Sequence, residues 1–185
     1  MVKHINDTIQ MKAKRILRTL IIIAVLCCNI GCDQASKKIV RQTVEYNEQI
    51  SLINHFLTLT KVENTGAFLS VGHSLPRVVR IVLLNLLPLL VLGFAFIYLL
   101  TKKNLPNRIM MGLCFIIGGG VGNIYDRIVY GSVTDFLHMD FSLFQTGVFN
   151  MADVSIMIGT FLFLLDVFTK PNQLTSQSAE KQGEA

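Results

Sequence analysis

Of the 185 residues, 51% are hydrophobic and only 16% are charged, whereas an average soluble domain carries about 25% charged residues. The apolar residues fall in long blocks separated by charged stretches, which excludes a disordered chain, a coiled coil and a basic nucleic-acid-binding domain. The net charge of +5 comes from residues that flank these blocks, so no nucleic-acid partner is expected.

Four apolar blocks are candidates for membrane-spanning helices, since a spanning helix needs about 20 mostly apolar residues. The clearest covers residues 81–100 and contains no charged side chain. The other three have shorter apolar stretches and reach spanning length only by including polar residues at one end. The pattern predicts an all-α membrane protein with spans at about residues 17–37, 78–101, 108–128 and 149–169.

The basic residues predict the orientation of these spans. Ten of the 17 Lys and Arg residues precede the first block, separate the second from the third, or follow the fourth. Because cytoplasmic loops carry an excess of Lys and Arg, both termini are expected in the cytoplasm, with two loops outside. Residues 1–14 are expected to be a cytoplasmic extension, 15–170 the membrane domain, and 171–185 a disordered cytoplasmic tail.

The first block also resembles a secretory signal, because basic residues precede an apolar run that ends at Gly31 and Cys32. Asn29 stands where a lipoprotein signal would have an apolar residue, and three more spans follow. We therefore expect this block to be retained as the first membrane helix. All four cysteines lie in predicted spans, which favours small packing residues over a disulfide framework.

The two outer loops differ in pattern. In the first, residues 56–62 alternate leucine with threonine, as a half-buried strand does. Residues 51–53 are its expected partner, with the turn at Asn54 and His55. This predicts a small periplasmic β element in the first outer loop. The second loop has a short apolar stretch at residues 133–136 and several phenylalanines, and it either rests on the lipid interface or is an ordinary packed loop.

Polar side chains collect at the outer ends of the spans, where burial is costly unless the groups are paired or functional. Asp126, Asp135 and Asp153 fall within 28 residues. Two carboxylates held close share a proton, so one can activate water while the other protonates a leaving group. A structural ion pair, such as Asp126 with Arg127, explains any single aspartate equally well. The sequence contains no Gly-x-Ser-x-Gly or HExxH motif, so neither a serine nucleophile nor a zinc site is expected.

Five polar motifs follow one another along the chain. They are Asp33-Gln34-x-x-Lys37, Asn64-x-Gly66-Ala67-Phe68, Gly119-x-x-Gly122-Asn123-x-x-Asp126-Arg127, Val133-x-Asp135-Phe136 and Phe149-Asn150-x-Ala152-Asp153. In this order, and with four spans, they resemble the motifs of the bacterial lipoprotein signal peptidases (type II signal peptidases). The resemblance covers about residues 15–170. Gly120 stands where alanine is common in that family, and Thr134 where an apolar residue is common.

The resemblance implies an intramembrane aspartic endopeptidase of the bacterial inner membrane. It would cut the signal peptide from a prolipoprotein just before a diacylglyceryl-modified cysteine, near the periplasmic face. Its catalytic pair would be Asp135 and Asp153. Residues that orient the pair or hold substrate would be Asn64, Gly66, Asn123, Arg127 and Asn150.

Three further residues of the motifs are expected to be structural. Asp33 and Lys37 would pair with each other, and Asp126 would pair with Arg127 or nearby backbone. No metal or organic cofactor is expected, the partners are the lipid-modified substrate and membrane lipid, and the protein is expected to be a monomer.

Two alternatives to a peptidase remain open at this point. A small transporter or proton-conducting protein would also place acids in membrane helices, but it predicts charges along a path across the membrane. A purely structural membrane protein would not need the carboxylate pair.

Overall fold

A computed structural model describes residues 1–54, 56–66 and 76–169, without the side chains of residues 2–5. The protein is mostly helical, with four helices long and apolar enough to cross a membrane and one small three-stranded sheet. This confirms the predicted helical architecture with a small β element. The predicted disordered tail, the turn residue His55, and Ala67 and Phe68 lie outside the described residues.

The four helices follow the four apolar blocks. They are α1 (Val2–Thr43), α2 (Arg77–Thr101), α3 (Asn107–Val129) and α4 (Met151–Thr169). Helix α2 is continuous but contains one wider π-helical turn at Val82–Leu86. Helix α3 is the most buried of the four and packs against the other three, with Leu113, Cys114 and Ile117 in the core.

Helix α1 is longer than the expected span at both ends. Its 42 residues correspond to about 63 Å at 1.5 Å per residue, roughly twice the hydrocarbon thickness of a bilayer. The residues expected to form a separate amino-terminal extension therefore belong to the same helix. At the other end the helix passes Lys37 and continues to Thr43, which places its last turns beside the sheet.

Glycines let α3 and α4 meet at backbone distance. A Cβ at Gly119 would overlap the carbonyl oxygen of Ala152, and a Cβ at Gly112 would lie 2.9 Å from the carbonyl oxygen of Gly159. No side chain fits between the helices at these positions, so glycine is required there. This contact brings the carboxyl-terminal half of α3 close to the first turn of α4.

The sheet joins the α1–α2 segment to the α3–α4 segment. Strands β1 (Ile50–Ile53) and β2 (Leu57–Asn64) form the expected antiparallel hairpin, and β3 (Val133–Met139) from the second loop pairs antiparallel with β2. The third strand was not predicted, because its first residues are buried without alternation. Phe136 of β3 packs against Val40 and Val44 near the end of α1, which attaches the sheet to the helices.

Candidate active site

Asp135 lies in β3 and is almost fully buried, with 4% of its surface exposed. In the sheet register it lies opposite Val62 of β2. Its two carboxylate oxygens accept bonds from different elements: Asn64 Nδ2 donates to Oδ2 at 2.9 Å, and Asn150 Nδ2 donates to Oδ1 at 2.6 Å. The carboxylate is thereby held between the end of β2 and the start of α4.

Asp153 lies in the first turn of α4 and is less buried than Asp135. Its Oδ1 accepts a bond from Asn123 Nδ2 at 2.9 Å, and its Oδ2 accepts the backbone N–H of Asn150 at 3.1 Å. An acidic side chain in the first turn also interacts favourably with the positive end of the helix dipole.

Three asparagine amides reach the two carboxylates, and a second bond sets the orientation of each amide. The Oδ1 of Asn64 accepts from the N–H of Gly66, and that of Asn150 accepts from the N–H of Asp153. The Oδ1 of Asn123 accepts from Lys37 Nζ at 2.9 Å and from Asn150 Nδ2 at 3.2 Å. With each carbonyl oxygen occupied in this way, the NH₂ groups are directed at the carboxylates.

The two carboxylates line one small cavity of about 20 Å³. Its walls are Asn64, Asn123, Arg127, Val133, Asp135, Val148, Asn150 and Asp153. Six of these were named from the sequence as catalytic or supporting residues. The structure therefore brings together side chains from the end of β2, the carboxyl-terminal end of α3, β3 and the start of α4.

Burial raises the pKa of Asp135 from its ordinary value near 3.8 to about 6. The charge of Asp153 acts in the same direction, whereas the hydrogen bonds from Asn64 and Asn150 act against it. Asp135 therefore keeps its proton to a higher pH than an exposed aspartate does.

Arg127 connects the cavity to Gly66. Its Nη2 donates to the carbonyl oxygen of Gly66 at 3.0 Å, while the buried Nε has no hydrogen-bond partner among the described residues. A buried donor without an acceptor costs about 1 to 3 kcal/mol, more when it is charged. Arg127 thus has donor capacity left at the edge of the cavity.

A buried cluster of ion pairs lies behind the cavity. Asp33 and Lys37 form the expected pair at 2.9 Å, and Lys37 also lies 3.1 Å from Asp126. The expected pairing of Asp126 with Arg127 was wrong: within the described part of the chain its ion pairs are with Lys37 and with Arg41, the latter at 2.9 Å. Arg127 turns towards Gly66 instead. The expected backbone contact of Asp126 is present, from the N–H of Thr134 at 3.4 Å.

Several residues of this cluster had no role assigned from the sequence. Gln34 Nε2 donates to Asp33 Oδ2, to the carbonyl oxygen of Gly122 and to Asp126 Oδ1. Arg41 Nε donates to Thr134 Oγ1 at 2.8 Å. Arg41 could have been found from the sequence, because it follows Lys37 by four residues and so shares a helix face with it.

The described residues contain no group of three His, Cys, Asp or Glu side chains placed as a metal ion would require. The polar groups that line the cavity are two carboxylates, three amides and one guanidinium. Such a set can hold, deprotonate and reprotonate a small molecule such as water.

The chain is similar in sequence to proteins of one known family. The family described as signal peptidase (SPase) II matches residues 21–169. The lipoprotein signal peptidase of Chlorobium phaeobacteroides is 34% identical over 146 residues, which are 74% of this chain and 83% of that protein. The lipoprotein signal peptidase of Desulforapulum autotrophicum is 34% identical over 160 residues, 85% of this chain and 95% of that protein.

The fold is also found among solved structures. A bacterial membrane enzyme determined by the in meso method at 1.9 Å resolution superposes with a TM-score of 0.72 over 81% of this chain and 94% of that chain. The sequence identity is 21%, so this likeness concerns the fold alone.

Proposed function

The chain belongs to the signal peptidase II family, and from that premise we propose that it is an aspartic endopeptidase that removes the signal peptide from diacylglyceryl-modified prolipoproteins. The proposed cut lies just before the lipid-modified cysteine, and Asp135 and Asp153 are the proposed catalytic pair. The name shared by the relatives, lipoprotein signal peptidase, supports the substrate class. The family gives no support to the alternative of a small transporter.

One observation carries the proposal: Asp135 and Asp153 line the same cavity of about 20 Å³. A cavity needs at least about 10–15 Å³ to hold one water molecule, and that water needs two to four polar partners. The cavity has room for a single water, with both carboxylates and the neighbouring amides as partners. A water between two carboxylates is the nucleophile of aspartic-protease chemistry.

In the proposed mechanism Asp153 is the base and Asp135 the acid. The assignment rests on burial, which raises the pKa of Asp135 to about 6 and makes Asp135 the better holder of the shared proton. Asp153 takes a proton from water as the water oxygen attacks the scissile carbonyl carbon. Asp135 gives its proton to the departing amide nitrogen as the C–N bond breaks, and the proton on Asp153 then restores the pair.

Charge develops on the carbonyl oxygen when water attacks, and a preplaced donor stabilises it. Arg127 is the proposed donor, since its Nε is buried and has no partner among the described residues. The amides of Asn64, Asn123 and Asn150 already donate to the carboxylates. Their proposed role is to hold the pair in place.

The proposed setting is the bacterial inner membrane, with both termini cytoplasmic, the cavity near the periplasmic face, and the protein a monomer. Four helices of spanning length and composition support a membrane location. The excess of Lys and Arg in the segments joined to the other helix ends supports the orientation. Residues 15–170 are proposed as the catalytic membrane domain, with the small sheet on the outer side.

The test is cleavage of a lipidated prolipoprotein by purified protein. Asp135→Asn and Asp153→Asn should each slow the release of signal peptide by at least about a thousandfold, because a catalytic group is removed. The matched control is Asp140→Asn, which should cleave normally. The side chain of this aspartate accepts bonds from the N–H of Ser142 and from Gln145 Nε2, and it does not line the carboxylate cavity. Near-normal cleavage by either pair variant would overturn the assignment. A substrate without the diacylglyceryl group should be cleaved poorly by the wild-type protein.

A further inference from the structure

A second cavity, of about 250 Å³, lies between the inner ends of α1 and α2. Arg15 and Arg18 of α1 and Lys103, which follows α2, line it together with the apolar side chains of Ile22 and Leu100. The proposed peptidase mechanism does not use any of these residues. We refer to this cavity as the basic pocket.

The basic pocket and the carboxylate cavity lie at opposite ends of one helix. Arg18 and Lys37 both belong to α1. They are 19 positions apart, which corresponds to about 30 Å along the helix axis. This is the thickness of the hydrocarbon core of a bilayer. Lys37 lies beside the carboxylate cavity. With that cavity near the periplasmic face, as proposed above, the basic pocket would lie at the other boundary of the hydrocarbon, at the level of the lipid headgroups.

Arg18 forms the fixed wall of the basic pocket. Its Nη2 donates to the carbonyl oxygen of Leu99 at 2.9 Å and its Nη1 to that of Lys103 at 3.1 Å. These bonds satisfy carbonyl groups at the carboxyl end of α2 and keep the following loop against α1. The pocket is therefore built by a specific contact, and its guanidinium is already ordered.

The charge of the basic pocket is uncompensated. None of its lining residues is acidic, and no carboxylate of the described residues forms an ion pair with Arg15, Arg18 or Lys103. The apolar lining residues are Ile22, on the same helix as the two arginines, and Leu100, which is 45% exposed. Three cations beside apolar side chains match a ligand that has an anionic head and an apolar chain. Basic pockets between membrane helices bind anionic lipid headgroups in this way.

We propose that the basic pocket binds one anionic phospholipid, with the phosphate among Arg15, Arg18 and Lys103 and an acyl chain along Ile22 and Leu100. The bound lipid would join α1 to the α2–α3 loop at the face opposite the carboxylates. Basic residues that only orient the helices would act as a diffuse charge and would not need to converge on a cavity.

The test uses the full chain purified in a neutral detergent and titrated with phosphatidylglycerol or with phosphatidylcholine. A ligand that binds only the folded state raises its thermal midpoint by mass action, so phosphatidylglycerol should raise the midpoint by several degrees. Phosphatidylcholine should have little effect. Native mass spectrometry should detect one phosphatidylglycerol per chain.

Two double variants distinguish lipid binding in the basic pocket from a general electrostatic attraction between the protein and anionic lipid. Arg15→Gln with Lys103→Gln removes two cations from the pocket and retains Arg18, whose bonds support the fold. Lys12→Gln with Lys14→Gln removes the same charge from exposed residues of α1 outside the pocket. We expect the first variant to lose the phosphatidylglycerol shift and the second to retain it.

Three outcomes would overturn the proposal. An equal loss of the shift in both double variants would show a diffuse electrostatic effect, and equal retention would show that the pocket is not the site. Equal stabilisation by inorganic phosphate at the same concentration would show a site for free anions instead of a lipid. If the double variant at Arg15 and Lys103 is unstable without lipid, the phosphatidylglycerol shift is measured instead in Arg15→Gln and in Lys103→Gln. Each is compared with Lys12→Gln and Lys14→Gln.

Discussion

Asn150 and Asp153 cap the first turn of α4 reciprocally. The N–H of Asn150 donates to Asp153 Oδ2 at 3.1 Å, and the N–H of Asp153 donates to Asn150 Oδ1 at 3.0 Å. This is capping-box geometry, in which two side chains three residues apart satisfy N–H groups at a helix start. A proposed catalytic carboxylate is thus held by the bonds that begin its own helix, and the Asn150 amide connects it to Asp135.

Substitution of Asn150 can separate capping from support of the carboxylate pair. Ser is also a good N-cap, so Asn150→Ser should retain a cap but lose the amide donor to Asp135. We expect its cleavage rate to fall about tenfold to a hundredfold, the worth of a hydrogen bond to a charged group. Asn150→Ala also lacks the cap, so its free energy of unfolding should be about 1 kcal/mol lower than that of Asn150→Ser. Equal thermal midpoints for the two variants in detergent would contradict the capping role.

The raised pKa of Asp135, about 6 against an ordinary 3.8, predicts a pH-dependent stability. The folded protein disfavours the ionised form of Asp135. The contribution of its protonated form to the free energy of unfolding is therefore fully present below about pH 3.8 and is lost as the pH rises through about 6. Asp135→Asn removes this titration. The free energy of unfolding of the variant minus that of the wild type should therefore increase between pH 4 and 7, by an amount on the order of 2 kcal/mol. Thermal midpoints measured at both pH values should show the same trend. A difference that stays constant over this range would contradict it.

The same pKa predicts the pH profile of cleavage. If Asp135 is the acid, its proton is lost as the pH rises through about 6. The pH dependence of kcat/KM reflects the ionisation of groups in the free enzyme. Above about pH 6, kcat/KM should therefore decrease, with a slope that approaches a factor of ten per pH unit. A kcat/KM that rises from pH 6 to 8 would show that Asp135 acts as the base.

Local sequence patterns were enough to predict the helices and contacts between neighbours on one helix face. Hydropathy located all four helices, and four-residue spacing predicted the contact of Asp33 with Lys37. The β1–β2 hairpin followed from alternation in β2. Each of these features is encoded within one continuous segment of sequence.

Contacts between distant segments were not predicted from spacing. The pairing of Asp126 with Arg41 joins α3 to α1 across 85 positions, and nothing near Asp126 indicates a partner on another helix. Strand β3 was missed for a related reason: it is covered by Phe136 packing against the end of α1, so its residues lack the alternation of a half-exposed strand. The resemblance to the family motifs predicted that Asn64, Asn123 and Asn150 belong to one site. Which carboxylate each amide contacts could be seen only in the folded structure.

The buried ion cluster predicts a strong effect at Lys37. This side chain is fully buried and neutralises Asp33 and Asp126 while donating to Asn123. Lys37→Met leaves buried carboxylates uncompensated, which typically costs about 3 to 5 kcal/mol. Adding Asp33→Asn should recover part of the loss, because Arg41 still pairs with Asp126. The test is to measure the thermal midpoints of Lys37→Met, of Asp33→Asn and of the variant that carries both changes. If the two losses simply add in the double variant, the proposed coupling between Lys37 and Asp33 is contradicted.

Close helix contact predicts that Gly119 tolerates no side chain. A Cβ there would overlap the backbone carbonyl oxygen of Ala152, next to Asp153, whereas a Cβ at Gly120 would meet only the movable side-chain end of Leu92. Gly119→Ala should force α3 and α4 apart, lower stability by about 1 to 3 kcal/mol as overpacking does, and slow cleavage by displacing Asp153 from Asn123. Gly120→Ala should be mild.

The control for Gly119→Ala is Gly93→Ala in α2, where a Cβ would have nothing within 4 Å. Alanine is a better helix former than glycine by about 1 kcal/mol, so this variant should be neutral or slightly more stable, with unchanged cleavage. Thermal midpoints and cleavage rates of the three variants should rank Gly93→Ala above Gly120→Ala and both above Gly119→Ala. A Gly119→Ala protein with wild-type cleavage would show that the outer ends of α3 and α4 can separate without disturbing the carboxylate pair.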